Sequence, residues 1–106
     1  MADRLGNLEE MVLLMVVLVK EQAYGVLVRE AYMEQYKQEI SLSAIHTVLR
    51  RLEDKGFLVS ELGGASAERG GRRKRLYRVT AFGYKKLTEY QEERNRIWSL
   101  IPKLKF

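Results

Sequence analysis

Nine consecutive apolar residues, Met11 to Val19, constrain this chain more than any other feature of its 106 residues. A membrane-spanning helix needs roughly 20 apolar residues, so the run belongs to a buried element instead. From Leu5 to Lys20 no Pro or turn signal interrupts the chain, which predicts a helix that is apolar nearly all round. Such a helix must be covered on more than one side. A chain this short builds one core, burying about two thirds of the surface it exposes when unfolded. The core takes one side of the helix, and a second copy of the chain is the simplest cover for the other. Asp3, Glu9 and Glu10 stand where a secretory signal would carry positive charge, so the chain is expected to stay in the cytoplasm, with no membrane partner.

The rest of the chain reads as short punctuated elements. Apolar residues at 24, 27, 28, 31 and 32 predict a second helix from Tyr24 to about Gln38. Ser41 is a suitable N-cap for a third helix running to Lys55, and Gly56 stands where a left-handed residue would end it. The inner stripe of this helix is Ile45, Val48, Leu49 and Leu52. Its other face carries Ser43, His46, Thr47 and Arg50, with Arg51 beside them. Short hydrogen-bonding groups and a long cation on one helix face suit entry into a DNA major groove, although a polar face by itself is also what water wets.

Phe57–Ser60 and Arg75–Thr80 read as two strands, the second with alternating character. The loop between them is Gly-rich and turns basic at its far end, where Arg69, Arg72, Arg73 and Lys74 are placed to meet phosphates or enter a minor groove. Such an arginine run also fits a nonspecific polyanion patch, and its place at the end of a hairpin favours the groove. A final helix, capped by Thr80, runs to about Ile101 ahead of Pro102. Its broken stripe of Tyr84, Leu87, Tyr90 or Gln91, Ile97, Trp98 and Ile101 would extend some 30 Å, beyond a domain of this size. Helices 1 and 4 are therefore expected to form a two-fold homodimer interface.

Charge supports this layout. The net charge is −3 over residues 1–40, 0 over 41–62, +5 over 63–80 and +3 over 81–106, a field with a direction that suits binding a polyanion through one face. Enzymatic function is not expected: with one His, two Asp and no Cys the chain offers no Ser/His/Asp set, no P-loop and no Gly-rich phosphate loop ahead of a helix. No cofactor is implied, and no metal site, since His46 and carboxylates are a poor ligand set for zinc.

Three helices, a strand, a basic wing, a strand and a long helix make an α+β, mostly α winged helix-turn-helix. Residues 1–80 are the DNA-binding unit and 81–106 the C-terminal dimerisation helix of one compact domain. Four stretches resemble the PadR family of bacterial transcriptional regulators in its short form: Leu5-Gly-x-Leu-Glu-Glu10, Ala23-Tyr24-Gly25, Leu49-x-Arg51-Leu52-Glu53-x-Lys55-Gly56, and Arg69-Gly-Gly-Arg-x-Lys-Arg-x-Tyr77-x-x-Thr80. The resemblance implies a homodimeric repressor on a palindromic double-stranded operator, released by a small hydrophobic or aromatic ligand. It carries DNA contacts onto Ser43, His46, Thr47 and Arg50 of helix 3 and onto Arg72, Arg73 and Lys74 of the wing. Where the family commonly has Tyr on the recognition helix, this chain has His46. By the same resemblance Trp98 pairs across the two-fold and sandwiches a flat aromatic effector, with Met11 and Met15 as an adaptable wall; core filling is the other use of these methionines. The alternative reading is a winged-helix module for protein interaction or RNA binding, without operator specificity.

Overall fold

The computed structural model describes residues 4–63 and 74–106. Helix α1 spans Asn7–Val19 and sends Val12, Leu13 and Val16 into the core, while Leu14 and Leu18 remain 40% and 52% exposed. The apolar run is thus divided between a buried face and an outer one. Gly6, not Leu5, is the N-cap, and Leu5 is buried ahead of the helix. Lys20 adopts φ +56°, which ends α1 and sets the chain into a 3-10 turn over Lys20–Gln22 that periodicity does not announce. Helix α2 spans Gly25–Tyr36 and stops two residues earlier than its apolar spacing suggests, because Lys37 takes the left-handed cap (φ +56°) and donates its N–H to the Met33 carbonyl.

Helix α3, Leu42–Asp54, has its expected cap: Ser41 Oγ accepts from the Ala44 N–H at 3.0 Å. Arg29 Nε donates to the Ile40 carbonyl at 2.7 Å and holds the turn between α2 and α3. At its other end Gly56 has φ +85°, its N–H bonds Glu53 O, and Phe57 N–H bonds Leu52 O at 2.9 Å. Two such bonds with buried Leu52 against buried Phe57 are a Schellman motif. This commitment of Phe57 to the helix end is why β1 begins at Leu58 rather than Phe57. Strands β1 (Leu58–Leu62) and β2 (Arg75–Val79) pair antiparallel from Leu58↔Val79 to Leu62↔Arg75. Tyr24 adds a bridge to Leu76, and Tyr77 N–H bonds Ala23 O at 3.0 Å, so the hairpin is tied to the start of α2.

Helix α4, Ala81–Leu100, starts where Thr80 Oγ1 accepts from Gly83 N–H at 2.9 Å. Gly83, Leu87 and Tyr90 are buried, and no residue after Tyr90 is. Tyr84, Leu87 and Gln91 of α4 line a groove with Glu10, Leu14 and Val17 of α1, and the middle of α4 is tied to the start of the chain by Arg4–Glu93 at 2.6 Å, Arg94–Glu10 at 3.5 Å and the Leu5 N–H donated to Tyr90 Oη at 3.3 Å. Its last turns project, and the described residues extend over 59 × 33 × 20 Å. None of the described helices is long and apolar enough to cross a membrane.

One ion pair ties the start of α1 to the end of α3. Lys55 Nζ lies 2.9 Å from both oxygens of Glu9, whose Oε1 also accepts from the Gly6 N–H at 2.9 Å; Glu9 is only 8% exposed. Burial pushes the Glu9 carboxyl upward, but the Gly6 bond and Lys55 outweigh it, so its pKa falls below the ordinary 4.5. A carboxyl with a depressed folded pKa stabilises the fold above its unfolded value and loses that contribution as pH falls through the folded one. Glu9→Gln is therefore expected to cost about 1–2 kcal/mol near neutral pH, with the gap to wild type closing in urea titrations as pH drops below 4.5. Gly83→Ala is expected to destabilise by about 1–3 kcal/mol in the same assay, because a β-carbon there collides with the Phe57 backbone. The roughly 1 kcal/mol that Ala gains over Gly in a helix is too small to reverse that sign.

Candidate nucleic-acid interface

Positions 43, 46, 47 and 50 follow the i, i+3, i+4, i+7 spacing, and α3 presents all four side chains on one exposed face opposite buried Ile45, Val48, Leu49 and Leu52. Thr47 Oγ1 donates to the Ser43 carbonyl at 3.1 Å, which spends its proton inside the helix and leaves the oxygen as an acceptor. His46 lies against the start of α2: a β-carbon on Gly25 would overlap its Nε2 and Cδ2. Glycine at that position lets the imidazole approach the α2 backbone closely while staying exposed.

The hairpin brings two described cations, Lys74 and Arg75, to the same side. Lys74 is exposed just ahead of β2, with Nζ 5.8 Å from the centre of the Tyr24 ring, and Gly63 N–H bonds its carbonyl at 2.6 Å. Arg75 follows on β2; its Nη1 donates to Ser60 Oγ at 3.0 Å, and Ser60 Oγ lies 2.9 Å from both oxygens of Glu53. Between α2, α3 and the hairpin there is an open cleft of about 460 Å³ whose lining includes Tyr24, His46, Arg50, Lys74, Arg75 and Tyr77. Burial, reinforced by the nearby Glu53 charge, pushes the Tyr77 phenol up, so it stays a neutral donor at neutral pH.

Of the residues singled out in the sequence, Ser43, His46, Thr47, Arg50 and Lys74 stand on one side of the molecule. Arg69, Arg72 and Arg73 lie outside the described residues. Arg75, expected only as a strand residue, lines the cleft, and so does Tyr24, expected to pack beneath the helix-turn-helix with a hydroxyl that could touch phosphate. The period-2 pattern of β2, which puts Arg75 on the face of Tyr77, is the signal that could have found the arginine. Met11, Met15 and Trp98 are not gathered within one chain: Met15 is 7% exposed in the core, Met11 is half-buried beside it, and Trp98 is 72% exposed on the projecting part of α4. The groove between α1 and α4, about 300 Å³, is lined by Glu10, Leu14, Val17, Tyr84, Leu87 and Gln91, and by none of those three.

A sequence profile of the PadR-like transcriptional regulators matches residues 13–89. No curated protein matches the sequence. Among solved structures, a PadR-family transcriptional regulator from Eggerthella lenta is similar at 24% identity and a TM-score of 0.66, over 84% of this chain and 75% of that one. One from Clostridium difficile is similar at 22% identity and a TM-score of 0.68, over 86% and 92%. F93 from STIV, described as a winged-helix DNA-binding protein, is similar at 16% identity and a TM-score of 0.69, over 90% and 95%. At these identities the structural likeness speaks for the winged-helix fold, while the profile covers most of the chain. The protein is a member of the PadR-like family of transcriptional regulators, built on a winged helix.

Proposed function

We propose that this protein is a homodimeric repressor that reads a palindromic double-stranded operator in the cytoplasm and is released by a small hydrophobic or aromatic ligand. The observation that carries the reading is the exposed row of Ser43, His46, Thr47 and Arg50 on α3, flanked by Lys74 and Arg75 of the hairpin. Donors, acceptors and a long cation on a helix face are what major-groove base edges accept, and cations on a wing beside it match backbone phosphates. Helix α3 supplies sequence preference, with Arg50 and His46 at base edges and Ser43 and Thr47 beside them. Arg69, Arg72, Arg73 and Lys74 of the wing supply salt-dependent affinity.

Dimerisation is supported by what one chain leaves uncovered. Leu14 and Leu18 on α1 and Ile97, Trp98, Leu100 and Ile101 on α4 are exposed apolar side chains on the two helices that lie along each other. A second copy laid across them buries both sets and projects two reading heads, which one duplex accepts about one helical turn apart. The effector part of the proposal rests on Trp98, since Met15 belongs to the core and Met11 packs beside it. A flat ligand stacked on Trp98 would alter the spacing of the heads.

A labelled duplex from upstream of the gene, titrated by anisotropy beside a scrambled one, should saturate at two chains per site with a preference of at least ~10³; equal binding to both would favour the module without operator specificity. Within that assay Arg50→Ala should lose about 1–3 kcal/mol of discrimination, while Lys74→Ala should weaken both duplexes and reduce the log–log salt slope by about 0.9. Gly25→Ala should behave like Arg50→Ala rather than Lys74→Ala, because it moves the His46 ring and removes no charge. Trp98→Asp combined with Ile101→Asp should leave a 12.4 kDa species by light scattering, and a dimer that survives both would remove α4 from the interface.

A further inference from the structure

We propose that the cleft between α2, α3 and the hairpin is a small-molecule site that takes a nucleoside monophosphate. Its volume of about 460 Å³ falls in the range of ligand pockets, roughly 300–1,000 Å³. Its lining mixes two chemistries. Val26, Leu42 and Leu62 are apolar and stand in it with the rings of Tyr24 and Tyr77, surfaces on which a flat base can stack.

The same lining holds four nitrogen-bearing side chains from two elements, His46 and Arg50 from α3 and Lys74 and Arg75 from the hairpin, with Lys74 Nζ 5.8 Å from the centre of the Tyr24 ring. No carboxylate is among the described lining residues, and Glu53, whose charge acts on Tyr77, already receives Ser60. Arg75 spends one donor on Ser60 and keeps the rest of its guanidinium. Four cationic or cation-capable groups facing one small space suit a dianion better than a single carboxylate, and a phosphate monoester carries about −1.5 to −2 charges near neutral pH. A ring joined to such a group matches both chemistries at once.

An occupant here lies against His46 and Arg50, the side chains assigned to base edges, so it excludes the duplex by direct competition and not by changing the spacing of two heads. That competition rests on the DNA-binding reading above; the site itself does not.

The test titrates the full chain with adenosine 5′-monophosphate, adenosine and inorganic phosphate by calorimetry, with ring chemical shifts of Tyr24, Tyr77, His46 and Trp98 as the locator. One nucleotide per chain is expected, at least about tenfold tighter than either fragment. The shifts should centre on Tyr24, Tyr77 and His46 and leave Trp98 still. Arg50→Gln and Leu62→Ser should each weaken the nucleotide about tenfold at an unchanged melting temperature, since both side chains are exposed. Inorganic phosphate binding as well as the nucleotide would reduce the cleft to a charged patch and overturn the proposal, as would shifts centred on Trp98. If a duplex binds and the nucleotide does not, the site falls and the DNA-binding reading stands. If the nucleotide binds as described and no duplex does, that reading falls and the site stands.

Discussion

The backbone carbonyl of Phe57 is the point on which the arrangement of this molecule depends. It accepts the Thr80 N–H at 3.0 Å and lies 3.2 Å from the Thr80 hydroxyl, while the N–H of the same residue closes α3 on Leu52. Thr80 Oγ1 also bonds the Gly56 carbonyl at 2.7 Å. Three elements therefore meet within one turn of chain: the end of α3, the start of β1 and the cap of α4. Gly83 presses its Cα side against the same Phe57 backbone, and the Phe57 and Phe82 rings meet edge to face at 5.1 Å. Because these contacts are backbone-directed, they set an angle as well as an attachment. The direction in which α4 leaves the domain is consequently fixed relative to the face of α3, the relation that any two-headed reader of a helical duplex must control.

Around that joint the polar groups are sorted by sign. The amino-terminal half is acidic, and two of its carboxylates are used internally or along α4: Glu9 on Lys55 and Gly6, Glu10 on Arg94. Arg50, Lys74 and Arg75 line the cleft, with Glu53 held by Ser60 and not among the described lining residues. A face whose described lining has no carboxylate keeps a positive potential that pairing would otherwise cancel. This separation also gives the fold an acid-sensitive clasp in Glu9, remote from the candidate site.

Much of this was legible in the chain because it is local. Ser41 and Thr80 cap the helices that their hydroxyls announce, Gly56 takes the left-handed position, and the apolar stripe of α3 is buried at all four expected positions. The places where reading failed share one physical cause. Lys20 and Lys37 adopt positive φ although nothing in a lysine invites it, because the turns they make are dictated by where the next helix must pack. Phe57 leaves the strand for the helix end, and Ala23 and Tyr24 join the hairpin from more than 50 residues away in sequence. The cleft is assembled from three segments that no window of the sequence contains together.

The sequence by itself determined the elements, their caps, the single core and the concentration of positive charge in the second half of the chain, since these follow from side-chain periodicity, hydroxyl and glycine placement, and composition. Tertiary structure alone decided that α4 covers only part of the outer face of α1, that Met15 is core while Trp98 is surface, and that Arg75 and Tyr24 share a cleft with His46. Those outcomes depend on which faces meet once the Phe57–Thr80 joint has set the angle between α3 and α4. Such an angle is a property of long-range packing, and the local pattern of residues does not encode it.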